Sequence, residues 1–375
     1  MEKTINTDGQ HQNRISALDG LRGIASIVIV AFHVYGFGFF VLYNKLLFIQ
    51  KYFAFGVTMF LIISAFSLAL NYHDKIQSAA SIMDYYINRY ARITPLFIFM
   101  TIVWILINNL DFKTRVDLNE IVVNVFYLYN FIPDKFGGII RASWPIGVLF
   151  IFYLLFPFII NFNKSIKSAI IMQCVFIIIG LSMYSFFKNQ YYPPNYAYVS
   201  FFSQLPIFGF GILSYYFLKA FNIRTVGRMF ISAVGLIGFF LVFYVLSRFF
   251  SYEDKIFYEK NNIAILYYYI MGFFMAFFIY SQCLYSTPVI DNAITRFYGK
   301  ISYSLYLLHP LVIYKITPLY TYFQSIGGMS KELSYFICFL VTLIIVTPLA
   351  YLLHKIFEER ASFIMKTSLK RVFQI

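Results

Sequence analysis

The 375-residue chain has little charge and few cysteines. Asp, Glu, Lys and Arg make up 12% of it, against about 25% in soluble domains, which excludes an ordinary soluble globular protein. Cys174, Cys283 and Cys338 all fall in apolar segments, at spacings that fit neither a metal site nor a disulfide framework. There is also no Gly-x-x-x-x-Gly-Lys loop, no His-Glu-x-x-His motif and no nucleophile elbow, so the enzyme classes built on them are excluded.

Apolar residues dominate the composition. They make up 60% of the chain, and the mean hydropathy is +0.71. Apolar runs close to the roughly 20 residues needed to cross a bilayer recur at 21–41, 52–70, 93–110, 145–162, 168–187, 199–220, 229–250, 263–285, 301–320 and 334–357. We therefore predict an all-α polytopic membrane protein with about ten transmembrane helices in one bundle. The count becomes eleven if the shorter stretch 121–132 also crosses.

Basic residues outnumber acidic ones by 30 to 16. In membrane proteins Lys and Arg concentrate in cytoplasmic loops, so we attribute this excess to topology and predict no nucleic-acid partner. With ten spans, most basic residues lie on the side of the N terminus. This predicts a multi-pass protein of the cytoplasmic (inner) membrane with both termini in the cytoplasm.

We expect a flexible arm at 1–16, one transmembrane domain at 17–360 and a basic tail at 361–375. The arm lacks the pattern of a signal peptide, so the first helix should be retained.

A polar stripe follows the first apolar run. Arg22 and His33 are eleven residues apart and return to within roughly 20° of each other on a helix, about 16 Å apart along its axis. Asp19 and Ser26 fall on the same side. Ionisable groups inside a membrane span are costly, so this stripe is the first candidate for a functional site.

Four segments in chain order resemble the membrane-bound acyltransferase-3 family, the O-acetylases of bacterial surface polysaccharides. They are residues 18–23 followed by His33, residues 56–66, the Arg-x-x-Arg-Ile-x-Pro sequence at 89–95, and residues 301–310. Two positions depart from the family pattern. Leu149 stands where a Glu is usual, and Arg360 stands where a Pro commonly follows the acidic residue.

The resemblance implies transfer of an acyl group, usually acetyl, from acyl-CoA to a hydroxyl of a carbohydrate, such as a surface polysaccharide or its lipid-linked precursor. His33 would act as the base, directly or through an acyl-imidazole. Arg22 would bind the CoA pyrophosphate or stabilise charge on the thioester oxygen, unless it only sets topology. Asp19 would either pair with Arg22 or cap the helix.

Further site residues come from the other matching segments. Arg89 and Arg92 share a helix face and would bind the phosphates of acyl-CoA, although ordinary topology-setting arginines look the same. Ser302, Tyr306, His309 and Trp144 are candidates for supporting the base or binding the acceptor. The alternative for His309 is a purely structural role beside Pro310.

We predict no metal and no bound cofactor, with acetyl-CoA as a co-substrate and membrane lipids as surroundings. His11, His73 and His354 are expected to be solvated.

Two rival functions remain open from sequence. A transporter or flippase for a lipid-linked glycan or acyl donor would line its pathway with the same polar residues. A catalytically degenerate family member is suggested only by Leu149. Acyl-CoA hydrolysis or transfer by the purified protein would exclude both.

Overall fold

The computed structural model describes residues 2–5, 11–38, 44–193, 195–221, 223–249 and 263–375. Two short strands near the N terminus, β1 (Glu2–Ile5) and β2 (His11–Arg14), pair antiparallel. Every other long element is a helix. The helices are α1 (Ser16–Phe37), α2 (Leu47–Phe53), α3 (Phe55–Tyr72), α4 (Ala79–Leu110), α5 (Leu118–Val125), α6 (Trp144–Phe162), α7 (Ile166–Lys188), α8 (Tyr196–Val199), α9 (Phe201–Ala220), α10 (Thr225–Phe249), α11 (Ile263–Leu284), α12 (Ala293–Lys300), α13 (Ser302–Ser325), α14 (Lys331–Leu353) and α15 (Ser362–Phe373).

Within these described ranges, nine helical segments are long and apolar enough to cross a membrane. A further helix, α13, has 24 residues, but His309, Lys315 and several tyrosines lower its hydropathy. Each of the ten predicted apolar runs thus coincides with a long helix. The stretch 121–132 forms only the end of the eight-residue α5 and short 3₁₀ turns, which are too short to span. The fold is that of an all-α, multi-pass membrane protein, as predicted.

Helix α1 lies inside the bundle and makes backbone-to-backbone contact with α12. A Cβ atom added to Gly23 would lie 1.9 Å from the carbonyl oxygen of Thr295. One added to Gly299 would lie 1.9 Å from the carbonyl oxygen of Asp19. Only glycine permits so close an approach. This contact fixes the first turns of α1, which carry the predicted polar stripe, against the helix that leads into α13.

The chain ends in one unusually long helical segment. Lys331–Phe373 is continuous over 43 residues, and its middle part, His354–Ala361, is wound as a π-helix. Beyond this π segment, the basic tail is the helix α15, which lies beside the first turns of α4. Lys370 Nζ contacts Asp84 Oδ1 there at 2.5 Å. π-helical turns are rare and are frequently found at functional sites.

Candidate active site

Asp19 and Arg22 form an ion pair at the start of α1. Arg22 donates from Nη1 to Asp19 Oδ1 at 2.9 Å and from Nη2 to the hydroxyl of Ser67 on α3 at 2.6 Å. Of the two roles considered for Asp19, the structure shows pairing, since the N-cap position of α1 is Ile15 and no side chain caps it. Ser26 does not join this group, because its hydroxyl donates to the Gly23 carbonyl of its own helix.

A cavity of about 870 Å³ opens beside this ion pair. Its wall includes Arg22 from α1 and both Arg89 and Arg92 from α4. Arg89 is held in place by α3, because it donates from Nη2 to the Tyr72 hydroxyl at 3.0 Å. Three guanidinium groups therefore line one cavity, which suits an anionic ligand because guanidinium binds phosphate in a bidentate manner.

The two predicted histidines meet, although 276 positions separate them in sequence. His309 Nε2 lies 3.0 Å from His33 Nδ1, and the two ring centroids are 4.8 Å apart. Each imidazole also contacts a carbonyl one turn earlier in its own helix. His33 Nδ1 lies 3.0 Å from Ile29 O, and His309 Nδ1 lies 3.2 Å from Leu305 O. His309 is fully buried.

Tyr306 connects the cavity to the histidine pair. Its side chain lines the cavity, and its ring centroid is 5.6 Å from that of His309. Its hydroxyl donates to the carbonyl of Ala142 at 2.5 Å, in the loop before α6. Ala142 has a φ of 64°, a left-handed conformation that is uncommon for alanine. The histidines themselves are not among the cavity-lining residues, so the pair lies just beyond the Tyr306 end of the cavity.

The remaining predicted site residues have different surroundings. Ser302 lines the cavity. Trp144 does not line it, and its ring instead lies 6.4 Å from that of Tyr198. The next turn of α6 does reach the cavity and contributes Leu149, the residue that departs from the family pattern. The position where a Glu was expected is therefore an apolar part of the cavity wall.

The π segment contributes two cavity residues that the sequence did not suggest. The side chain of Glu358 is 6% exposed and contacts Ser304 at the start of α13. His354 lies between two carboxylates, with Nδ1 3.3 Å from Glu358 and Nε2 3.3 Å from Glu359. The prediction that His354 is solvated is wrong, because only 6% of it is exposed. No pattern in the local sequence predicts the π-helical winding that turns these side chains toward the cavity.

The other two isolated histidines are His73 and His11. His73 is also less solvated than expected, because its ring contacts Asp74 at 2.6 Å and its side chain is 11% exposed. The side chain of His11 lies outside the described residues. Among the described residues, no group of three or more His, Cys, Asp or Glu side chains is arranged to hold a metal ion.

The comparison with known proteins fits this arrangement. The acyltransferase-3 family, described as "Acyltransferase domain", matches residues 15–354, and this range includes all of the site residues predicted from the sequence. The chain belongs to the acyltransferase-3 family. No solved structure matches it significantly.

Two curated proteins illustrate the similarity. The protein named "Putative O-acetyltransferase SACOL0978", from Staphylococcus aureus (strain COL), is 26% identical over 359 residues, covering 86% of this chain and 56% of that protein. Peptidoglycan O-acetyltransferase OatA from Listeria monocytogenes serovar 1/2a is 23% identical over 335 residues, covering 81% of this chain and 50% of that protein. The chain thus spans about half the length of the curated relatives it matches.

Proposed function

We propose that this chain is a membrane-bound O-acyltransferase that moves an acetyl group from acetyl-CoA to a hydroxyl of a cell-surface carbohydrate. The contact between His33 and His309 carries the proposal, because it provides a base beside a cavity lined by arginines. Membership of the acyltransferase-3 family and the names of its relatives supply the reaction class.

The chemical difficulty is that a sugar hydroxyl is a weak nucleophile. A base must take its proton while the oxygen attacks the thioester, and imidazole is the side chain best suited to this near neutral pH. The contacts of the pair identify which nitrogen is available. Carbonyl oxygens only accept hydrogen bonds, so Ile29 O and Leu305 O place a proton on Nδ1 of each neutral ring. His309 Nε2 is then an acceptor for the His33 Nδ1–H, and His33 Nε2 keeps its lone pair.

In the proposed reaction, the acceptor hydroxyl gives its proton to His33 Nε2 as its oxygen attacks the thioester carbonyl carbon. The carbon–sulfur bond then breaks, and His33 returns the proton to the departing CoA sulfur. While His33 is protonated, its Nδ1–H is shared between Ile29 O and the lone pair of His309 Nε2, and these contacts hold the ring in orientation. His309 therefore positions the base and stabilises its cationic form, much as a carboxylate does in a catalytic triad.

The arginines define the donor end of the site. Arg89 and Arg92 would bind the CoA diphosphate, and Arg22, which lines the same cavity from α1, would also face the donor. The thioester arm would pass Tyr306 to reach His33. Because acyl-CoA is a cytoplasmic metabolite, this assignment also orients the protein. Asp19 near the start of the chain and Lys366 near its end line the same cavity, so both ends would lie on the cytoplasmic side of the inner membrane.

The test is the alkali-labile acetyl content of surface glycans, measured by NMR in cells that carry the wild-type protein, His33→Ala or an empty vector. Matched membrane levels are confirmed by immunoblot. An acetyl-ester signal that depends on wild type supports the enzyme. Equal signals in all three strains contradict it. A transporter would consume no thioester, so purified wild-type protein that leaves acetyl-CoA intact in the presence of a surface-glycan fraction would favour that alternative.

A further inference from the structure

A second cavity, of about 580 Å³, lies between the first turns of α4 and the C-terminal helix α15. From α4 it is lined by Asp84 and Asn88, and from α15 by Lys366, Lys370 and Arg371. None of these five residues belongs to the segments that resemble the acyltransferase-3 family, and all three cations lie beyond the matched range, which ends at residue 354.

The two cavities adjoin each other. Asp84, Asn88 and Lys366 line both of them. Asp84, Asn88 and Arg92 follow one another at intervals of four residues, so they share a face of α4 that runs for about 12 Å. An extended ligand whose phosphates lie at Arg92 can therefore continue along this face into the second cavity.

The side chains that line the second cavity carry a net positive charge. Three of them are basic, and the one acidic side chain, Asp84, is paired with Lys370. Phe363 also lines it, with 65% of its surface exposed, and offers a ring face to a flat partner. A phosphate monoester with an aromatic base attached would satisfy both features, because lysine and arginine bind phosphate and aromatic rings stack on nucleobases.

We propose that this second cavity binds the 3′-phosphorylated adenosine of the acyl donor, while Arg89 and Arg92 bind its diphosphate. The inference rests on the proposed function, since it assumes that acyl-CoA is the donor. A CoA ester carries its ribose phosphate apart from its diphosphate, so two separate cationic subsites are needed. The second cavity supplies the one that the acyltransferase-3 resemblance leaves unassigned, and it makes α15 part of the donor site.

The test compares acetyl-CoA with 3′-dephospho-acetyl-CoA, which differs only in the phosphate at issue. Both are titrated calorimetrically into the full-length protein in nanodiscs of neutral phosphatidylcholine. Charge-assisted hydrogen bonds are worth about 1.5–3 kcal/mol, so wild type should bind acetyl-CoA at least roughly tenfold more tightly. A Lys366→Ala/Arg371→Ala variant should bind both esters with nearly equal affinity.

The choice of variants isolates the effect of the 3′-phosphate in two ways. Lys370 is left unchanged because its contact with Asp84 helps to dock α15. Arg360→Ala is the matched control, because Arg360 belongs to the same continuous helix but lines neither cavity, and this variant should keep the wild-type preference. A double variant that still prefers acetyl-CoA tenfold would overturn the proposal.

Other outcomes separate the remaining explanations. If wild type binds both esters equally, the second cavity does not bind the 3′-phosphate. The assignment of acetyl-CoA as the donor then remains valid. Binding to vesicles containing phosphatidylglycerol that falls only in the double variant would then assign the cations to lipid headgroups. If wild type binds neither ester, the proposed donor fails, and this proposal fails with it.

Discussion

The carboxylate of Glu358 accepts hydrogen bonds from both the backbone N–H and the hydroxyl of Ser304, the former at 3.1 Å. Ser304 is in the first turn of α13, where backbone N–H groups have no partner within the helix. The adjoining N-cap position is Ile301, which provides no side-chain cap. Glu358 therefore caps, from another part of the chain, the helix that carries His309. A carboxylate is also stabilised there by the helix dipole.

Replacing Glu358 with Ala should disturb His309 while leaving the three arginines of the donor site in place. The unpaired N–H of Ser304 and the lost charge–dipole interaction should lower stability by about 1–3 kcal/mol. We expect a lower kcat with little change in KM for acetyl-CoA, because the arginines remain in place. Thermal unfolding in detergent and initial rates of acetyl transfer measure the two effects. Ser304→Ala, which keeps the backbone contact, should have the smaller effect on both, and the reverse order would contradict the capping role.

The histidine pair should behave as one unit in mutant kinetics. His33→Ala should reduce acetyl transfer by about 10²–10⁴-fold, the usual contribution of a general base. His309→Ala should cost less, and the double variant should be little worse than His33→Ala, because His309 acts through His33. His309→Gln should recover part of the loss, since its amide oxygen can accept the His33 Nδ1–H. Additive losses in the double variant would show that the two rings act independently.

Leu149→Glu separates an active enzyme from a decayed one. In an active enzyme, a carboxylate at this point of the cavity wall would compete with the phosphates of acyl-CoA for the three arginines. We expect a higher KM for acetyl-CoA and no gain in kcat. Leu149→Gln, of nearly the same size but uncharged, should raise KM less. A gain in kcat for the glutamate variant alone would instead indicate that this chain has lost a catalytic carboxylate.

A single methyl group added at the contact between α1 and α12 should destabilise the folded protein. Gly23→Ala would bring a Cβ within 1.9 Å of the Thr295 carbonyl oxygen. Overpacking of this kind typically costs about 1–3 kcal/mol, and here the obstacle is backbone that has little freedom to move. Gly36→Ala is the matched control on the same helix, because no atom of another described residue outside its own helical turn lies within 4 Å of the position that its Cβ would take. Folded yield and melting temperature should fall for Gly23→Ala only.

The helices and part of the site follow directly from the sequence. Apolar runs of about 20 residues predict spans because the bilayer has a fixed thickness. Helical periodicity places Arg22 and His33 on one side of α1. The same periodicity is misleading for Ser26, because serine can bond to a carbonyl of its own helix and so needs no polar surroundings.

The rest of the site depends on tertiary structure. The contact of His33 with His309 depends on how α1 packs against α12 and α13, and nothing local to either histidine encodes it. Glu358 reaches Ser304 from a π-helical segment, whose spacing differs from the 3.6-residue repeat by which helix faces are read from sequence. The misprediction of His354 has the same cause, since it is the first residue of that segment.

The separation of the two histidines along the chain affects how the protein is made. His33 is synthesised before His309, which follows 276 residues later. At translation rates of about 5–20 residues per second, that interval is roughly 15–55 s. Throughout it, α1 holds an arginine and a histidine in the membrane without the helices that later enclose them. The nascent chain therefore needs other protein or lipid surroundings for the polar side of α1, and a chain cut short before α13 would carry His33 without the His309 that positions it.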